Sequence, residues 1–211
     1  MKAKDIKTLI TGGTVLVALA LYMIFGEAPP NLQEPETGAV VEQQAGANIS
    51  PDDAENATGK QLIDVKFVNA NDGDTINVIL DGEKKRVRLL MIDTPEMNYD
   101  KGDPMPYAED AKEFTLSLLK NAKSVQILFD KGPETDNYDR LLAYVYVDGV
   151  MLQESLIENG YAAMRYINKP NNSLEQELRD IQKNAENAKL NIWSVDNYFQ
   201  KDGFHSEVIK N

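Results

Sequence analysis

The chain has 211 residues, 42% of them hydrophobic, which is room for one domain with an ordinary core plus extensions. Its 22 Lys+Arg against 34 Asp+Glu give a net charge of -12 and a pI near 4.6, so no global positive field steers polyanions and any nucleic-acid binding must rest on a local site. With no Cys and a single histidine, His205, the chain excludes thiolate zinc sites, Cys nucleophiles, Ser-His triads and paired-histidine phosphodiesterases, leaving carboxylates, Arg, Lys and Tyr with a hard metal ion.

In chain order, Lys2, Lys4 and Lys7 precede an uncharged apolar run over residues 8–26. A basic flank followed by an apolar run is an export signal. The run is about as long as a minimal membrane span, and prolines at Pro29 and Pro30 follow the small residues that cleavage would need. Residues 1–26 are therefore read as an uncleaved signal anchor in preference to a removed signal peptide. The lysines on one side and acids beyond Gly26 orient the remainder outward, tethered to the cell membrane, or secreted if the signal is cleaved. Residues 27–60, rich in Pro, Glu, Gln, Ala, Gly and Asn, predict a disordered acidic linker.

From residue 62 the pattern changes to β-like runs at 62–68, 75–80, 85–92, 125–129 and 141–147. Asp72-Gly73-Asp74, Asp81-Gly82-Glu83 and Asp148-Gly149 punctuate them as turns. Three helices interleave. The first, 107–119, carries Ala108, Ala111, Phe114 and Leu118 on one face; the second, 152–159, stops at Gly160. The third, 174–188, is given Ser173 as N-cap and the stripe Leu174, Leu178, Ile181, Ala185 and Ala188. This order predicts an α+β, mainly β domain over 61–196, built around a barrel, with a tail at 197–211.

Asp72-Gly73-Asp74-Thr75 opens one strand and Asp93-Thr94-Pro95-Glu96 follows the next, so antiparallel pairing brings both acidic clusters to one end of the sheet. Clustered carboxylates repel and raise one another's pKa unless a cation neutralises them, and a hard divalent ion accepts such oxygens. The spacing is not that of an EF-hand, since Val68 and Ala70 fall where ligands belong. An Asp-Gly-Asp turn and a helix start would look the same, so the motifs alone leave metal binding and plain turn chemistry both open. Arg88 and Arg140 are the cationic candidates, each alone also readable as a surface residue. Arg88 and Asp93 lie five apart and would face opposite sides of a straight strand, so the strand must bend or end before Asp93, a bend attributed here to Pro95.

Several stretches resemble the staphylococcal nuclease (thermonuclease) family in order and spacing: Asp72-Gly73-Asp74-Thr75, Arg88 through Glu96, Phe129-Asp130-Lys131-Gly132, Tyr138 through Tyr146, Lys169-Pro170-Asn171-Asn172 and Leu190-Asn191-Ile192-Trp193-Ser194. The resemblance covers roughly residues 62–194. It implies a five-stranded OB-type barrel with three helices and a Ca²⁺-dependent phosphodiesterase that cuts DNA and RNA to 3′-phosphate ends. By matching position, it makes Asp74 and Asp93 metal carboxylates with Thr94 contributing its carbonyl. It makes Glu96 the residue that activates water, Arg88 and Arg140 the phosphate ligands, and Tyr138, Tyr166 and Lys169 nucleotide contacts. Two positions depart from the family: Asp139 stands where Gly usually precedes the arginine, which bears on the placement of Arg140, and Asn168 replaces a second nucleotide-facing Tyr, which bears on base stacking.

The expectation is thus a monomeric, membrane-tethered or secreted nuclease. The alternatives are a non-catalytic OB-type module binding nucleic acid or protein, and a Ca²⁺-binding surface protein. The joint presence of Arg88, Glu96 and Arg140 speaks against the binding module, which has no evident need for all three; in a Ca²⁺-binding surface protein the arginines would be incidental.

Overall fold

The computed structural model describes residues 49–98 and 102–209. The expected signal anchor and the linker as far as residue 48 lie outside them. The first element is nevertheless a helix inside the stretch expected to be linker: α1, Pro51–Thr58. Ser50 caps it by accepting from Asp53 N at 3.2 Å, Pro51 occupies the first turn, and Gly59 at φ 70° ends it. Ile49 and Ala54 are buried, Ile49 N donates to Glu154 Oε2 at 3.1 Å, and Tyr146 Oη donates to Ile49 O at 3.1 Å. The linker reading therefore fails over its last residues: α1 needs only two small anchoring contacts and one cap, too little apolar content to register in a compositional window.

The strands are β1 (Ile63–Asp64), β2 (Lys66–Ala70), β3 (Thr75–Leu80), β4 (Glu83–Leu89), β5 (Ile92–Asp93), β6 (Val125–Phe129), β7 (Leu141–Val147), β8 (Val150–Met151) and β9 (Ala163–Met164). The main sheet runs in the order β1-β6-β7-β4-β3-β2, with β8 also on β7. Both ends of this path, β1 and β2, come from one stretch of chain separated by Val65, whose N–H donates to Val125 O. β4 and β7 pair in parallel and the other ladders are antiparallel. The β3–β4 and β7–β8 hairpins turn on Asp81-Gly82 and Asp148-Gly149, where both central residues have positive φ, as a type I′ turn requires.

The helices are α2 (Ala108–Leu119), α3 (Leu152–Glu158) and α4 (Glu175–Asn187), so the described residues hold four α-helices, one more than expected. Ser173 does not cap α4: its hydroxyl donates to Asp130 Oδ1 at 2.6 Å and its N–H to Asp130 Oδ2 at 2.9 Å. That fully buried carboxylate also accepts from Tyr144 Oη at 2.7 Å and is the stronger acceptor. One large core joins the sheet to α2, α3 and α4, and a second, smaller cluster gathers around Tyr198. The residues expected as a tail form a hairpin, β10 (Phe199–Gln200) with β11 (Gly203–Phe204), whose aromatic rings pack on Trp193 and Tyr198. Among the described residues no helix is long and apolar enough to cross a membrane.

Candidate active site

The site is built where β4 breaks. The strand ends at Leu89, three residues before its apolar run ends at Ile92, and the chain reverses through Met91 in the left-handed region at φ 62°. Ile92 and Asp93 then leave the main sheet and pair with β9. The turn at Met91, ahead of Pro95, is what brings residues five apart to one side. Arg88 Nη2 lies 3.0 Å from Asp74 Oδ2 and 3.1 Å from Asp93 Oδ1, while Nη1 donates to Leu89 O at 3.0 Å. Asp74 reaches the same place because Thr75 pairs opposite Arg88. This is the meeting of acidic clusters that antiparallel pairing predicts.

The Asp72-Gly73-Asp74 turn is clamped on several sides. Asn71 N donates to Thr75 O, Thr115 of α2 donates to Gly73 O at 2.7 Å, and Thr94 N donates to Asp74 Oδ2 at 3.0 Å. A Cβ on Gly73 would fall 2.8 Å from Thr94 Cγ2 and 2.9 Å from Ala111 Cβ, so only glycine lets the turn approach Thr94 this closely. Burial, then the neighbouring Asp74 charge, pushes the Asp93 carboxyl up to about 6, although Arg165 and Arg88 pull against that rise. Asp72 is likewise raised, by burial first and by Asp74 second.

Arg88, Asp93, Glu96, Arg140, Tyr166 and Asn168 line one cleft of about 290 Å³. Glu96 is exposed on its rim, and its backbone carbonyl accepts from Met105 N. Arg140 arrives from the turn before β7, where Asp136 Oδ1 accepts from the amides of Tyr138 and Arg140 and Asp136 Oδ2 accepts from Arg140 Nε at 2.7 Å. Asp139 adopts φ 58°, a conformation glycine takes without cost and aspartate tolerates. It leaves the Arg140 Nε contact to Asp136. Tyr138 is 75% exposed, stands 5.6 Å from the Arg140 guanidinium, and with Arg86 and Arg140 lines a second depression beside the cleft. Tyr166 is also exposed and lies under both Arg88 and Arg165, at 5.6 and 4.7 Å. Lys169 is exposed, and Asn168 Nδ2 turns back to Tyr166 O.

Two participants escaped the sequence reading. Asp136 was visible only as one acid among several in its loop. Arg165, which donates to Asp93 Oδ2 at 2.8 Å, had one available signal, its position directly before Tyr166.

The donor set is all oxygen, and the Asp74 charge beside the buried Asp93 carboxyl is of the kind that a hard divalent cation would neutralise. Among the described residues no three acidic or histidine side chains converge as a ready-made cage. A cation here would therefore take two carboxylates and complete its shell from carbonyl and water oxygens, which Asp74, Asp93 and Thr94 suit.

The family model for staphylococcal nuclease homologues matches residues 86–195. The chain is 41% identical over 167 residues to Endonuclease YncB of Bacillus subtilis (strain 168), covering 79% of this chain and 76% of that protein. It is 42% identical over 149 residues to the SPbeta prophage-derived endonuclease YokF of the same organism, covering 71% of this chain but 50% of the other. It is 37% identical over 129 residues to the Thermonuclease of Staphylococcus hyicus, covering 61% of this chain and 75% of that protein.

Proposed function

The chain belongs to the family of staphylococcal nuclease homologues, and from that premise we propose that it is a Ca²⁺-dependent nuclease that hydrolyses DNA and RNA to products with 3′-phosphate ends. The observation that carries this reading is the convergence of Arg88, Asp93, Glu96 and Arg140 on one cleft. Its scaffold is read as a five-stranded OB-type barrel in which β1 and β2 count as one bent strand.

Attack on a phosphodiester adds charge to an anionic group, so preorganised donors contribute most of the rate. Arg88 and Arg140 supply planar forks that bind phosphoryl oxygens and stay protonated. Asp136 holds the Arg140 fork by its Nε, leaving the other guanidinium nitrogens for substrate. Glu96, on the rim, takes or orients the proton of the attacking water. Asp74, Asp93 and the Thr94 carbonyl would hold Ca²⁺, which supplies charge neutralisation and polarisation of the phosphate. Tyr138, Tyr166 and Lys169 are assigned to nucleotide contacts, with Tyr166 presenting a ring beneath two guanidinium groups. Residues 1–26 are proposed to tether a monomeric domain on the outer side of the membrane.

The test incubates the purified protein with single- and double-stranded DNA and with RNA, in Ca²⁺, Mg²⁺ or EDTA, and analyses product ends. Ca²⁺-dependent release of 3′-phosphate products is expected. Arg88→Ala, Arg140→Ala and Glu96→Gln should each lower cleavage on the order of 10²-fold with the fold retained. Near-normal rates in the Arg88 and Glu96 variants would sink the mechanism, and binding without cleavage would favour the non-catalytic module.

A further inference from the structure

We propose that Arg165 is a positioning residue for Asp93, and that the C-terminal hairpin holds it in place. The inference rests on the nuclease reading of the site. Arg165 follows β9 directly, and its N–H donates to Met91 O at 2.9 Å, extending the β5–β9 pairing by one residue. Asp93 pairs opposite Ala163, so Arg165 and Asp93 are diagonal neighbours across the ladder, within reach of a long side chain. Nη1 meets Asp93 Oδ2 at 2.8 Å, on the oxygen that Arg88 leaves open, since Arg88 contacts Oδ1. Both carboxylate oxygens are thereby fixed by guanidinium groups approaching from different elements.

The far side of Arg165 is equally constrained. Nη2 donates to Asp202 O in the turn between β10 and β11. Gly203, at φ 132°, lies against the same guanidinium: a Cβ there would fall 2.6 Å from Nη1. Tyr166 stacks beneath it, 4.7 Å from ring centre to Cζ. The hairpin is anchored through Tyr198, Phe199 and Phe204 in the smaller aromatic cluster. It lies beyond residue 195, where the match to the family model ends. A planar fork can satisfy Asp93 and the Asp202 carbonyl at once, which a lysine ammonium on its flexible stem does not reproduce.

Partners that orient a ligating carboxylate from outside typically contribute 10–100-fold to metal affinity or activity. Coulomb's law alone predicts the opposite sign, because deleting a positive charge beside a cation site tightens cation binding. The direction of change therefore separates positioning from simple electrostatics.

The experiment titrates the full chain with Ca²⁺ by calorimetry, without nucleic acid, for wild type, Arg165→Ala, Arg165→Lys, Gly203→Ala and the Arg165→Ala/Gly203→Ala pair. Melting curves run alongside. Arg165→Ala is expected to weaken Ca²⁺ about tenfold. Arg165→Lys, which keeps the charge, should recover only part of that loss and serves as the test should the alanine variant fold poorly. Gly203→Ala should weaken Ca²⁺ in the wild-type background and add nothing to Arg165→Ala. Unchanged or tighter Ca²⁺ binding in the folded Arg165 variants, or additive losses in the pair, would overturn the proposal while leaving the nuclease reading intact. A wild-type chain that neither binds Ca²⁺ nor cleaves would remove both.

Discussion

At the scale of single residues, Gly73 decides whether the two acidic clusters can meet. Its missing side chain lets the turn before β3 press onto Thr94, and the Thr94 amide then holds Asp74. Gly73→Ala introduces a methyl group between Thr94 and Ala111, an overpacking that costs about 1–3 kcal/mol. We expect a lower melting temperature and a loss of cleavage greater than the loss of stability explains, read by comparing rates at a temperature where both proteins remain folded. Asp139 works in the other direction. The glycine usual at that position suits the left-handed backbone observed here, and aspartate, one of the few residues that adopts it readily, preserves the turn that presents Arg140. The acids and arginines themselves were legible from the sequence because their chemistry is unusual beside an apolar run. The roles of Asp136 and Arg165 were not: Asp136, four residues before Arg140, is one acid among several in its loop, and the Arg165 pairing with Asp93, 72 residues away, leaves no local pattern.

At the scale of elements, β7 is the member that ties the site to the core. β6 pairs along one edge, but on the other edge β4 reaches only as far as Ala143 and β8 begins at Tyr146. The gap is filled by a side chain: Gln153, fully buried at the start of α3, accepts from Val145 N at 3.1 Å and donates to Ala143 O at 3.0 Å. Its amide thus stands in for a strand neighbour where no strand fits. Gln153→Met keeps the volume but strands the Val145 N–H, at a cost of about 1–3 kcal/mol. Urea unfolding should show a lower midpoint with an unchanged m-value; an unchanged midpoint would refute the role. The end of β4 shows why element boundaries were misread. Residues 89–92 form a continuous apolar run, so hydrophobicity alone carries the strand through to Ile92. Burial is satisfied equally by a strand or by a turn that is covered on all sides, and the turn is what the chain adopts at Leu90 and Met91.

At the scale of the whole molecule, an acidic protein is proposed to act on a polyanion through a small cleft in which arginines and carboxylates are interleaved. Arg86, Arg88 and Arg140 line the cleft and its neighbouring depression, while Lys85 is paired with Glu83 at 2.6 Å. With a net charge of -12 there is little long-range attraction to add to these contacts. Single-stranded substrate should therefore bind modestly, with log K falling against log salt at a slope of about -2 to -3, as expected for three or four phosphate contacts by these arginines and Lys169. A filter-binding series in EDTA measures it, and a slope near -8 would place the substrate on a much wider surface. By itself the sequence determined the chemistry available, the strand and helix types, the hairpin turns and the residues that resemble a nuclease site, because composition, periodicity and turn signals act over a few neighbouring residues. The tertiary structure alone decided where β4 ends, that α1 folds against Glu154 and Tyr146, that Gln153 completes a sheet edge, and that the C-terminal residues return to brace Arg165. Each of these depends on contacts between distant parts of the chain, whose free energy exists only once the core has brought them together.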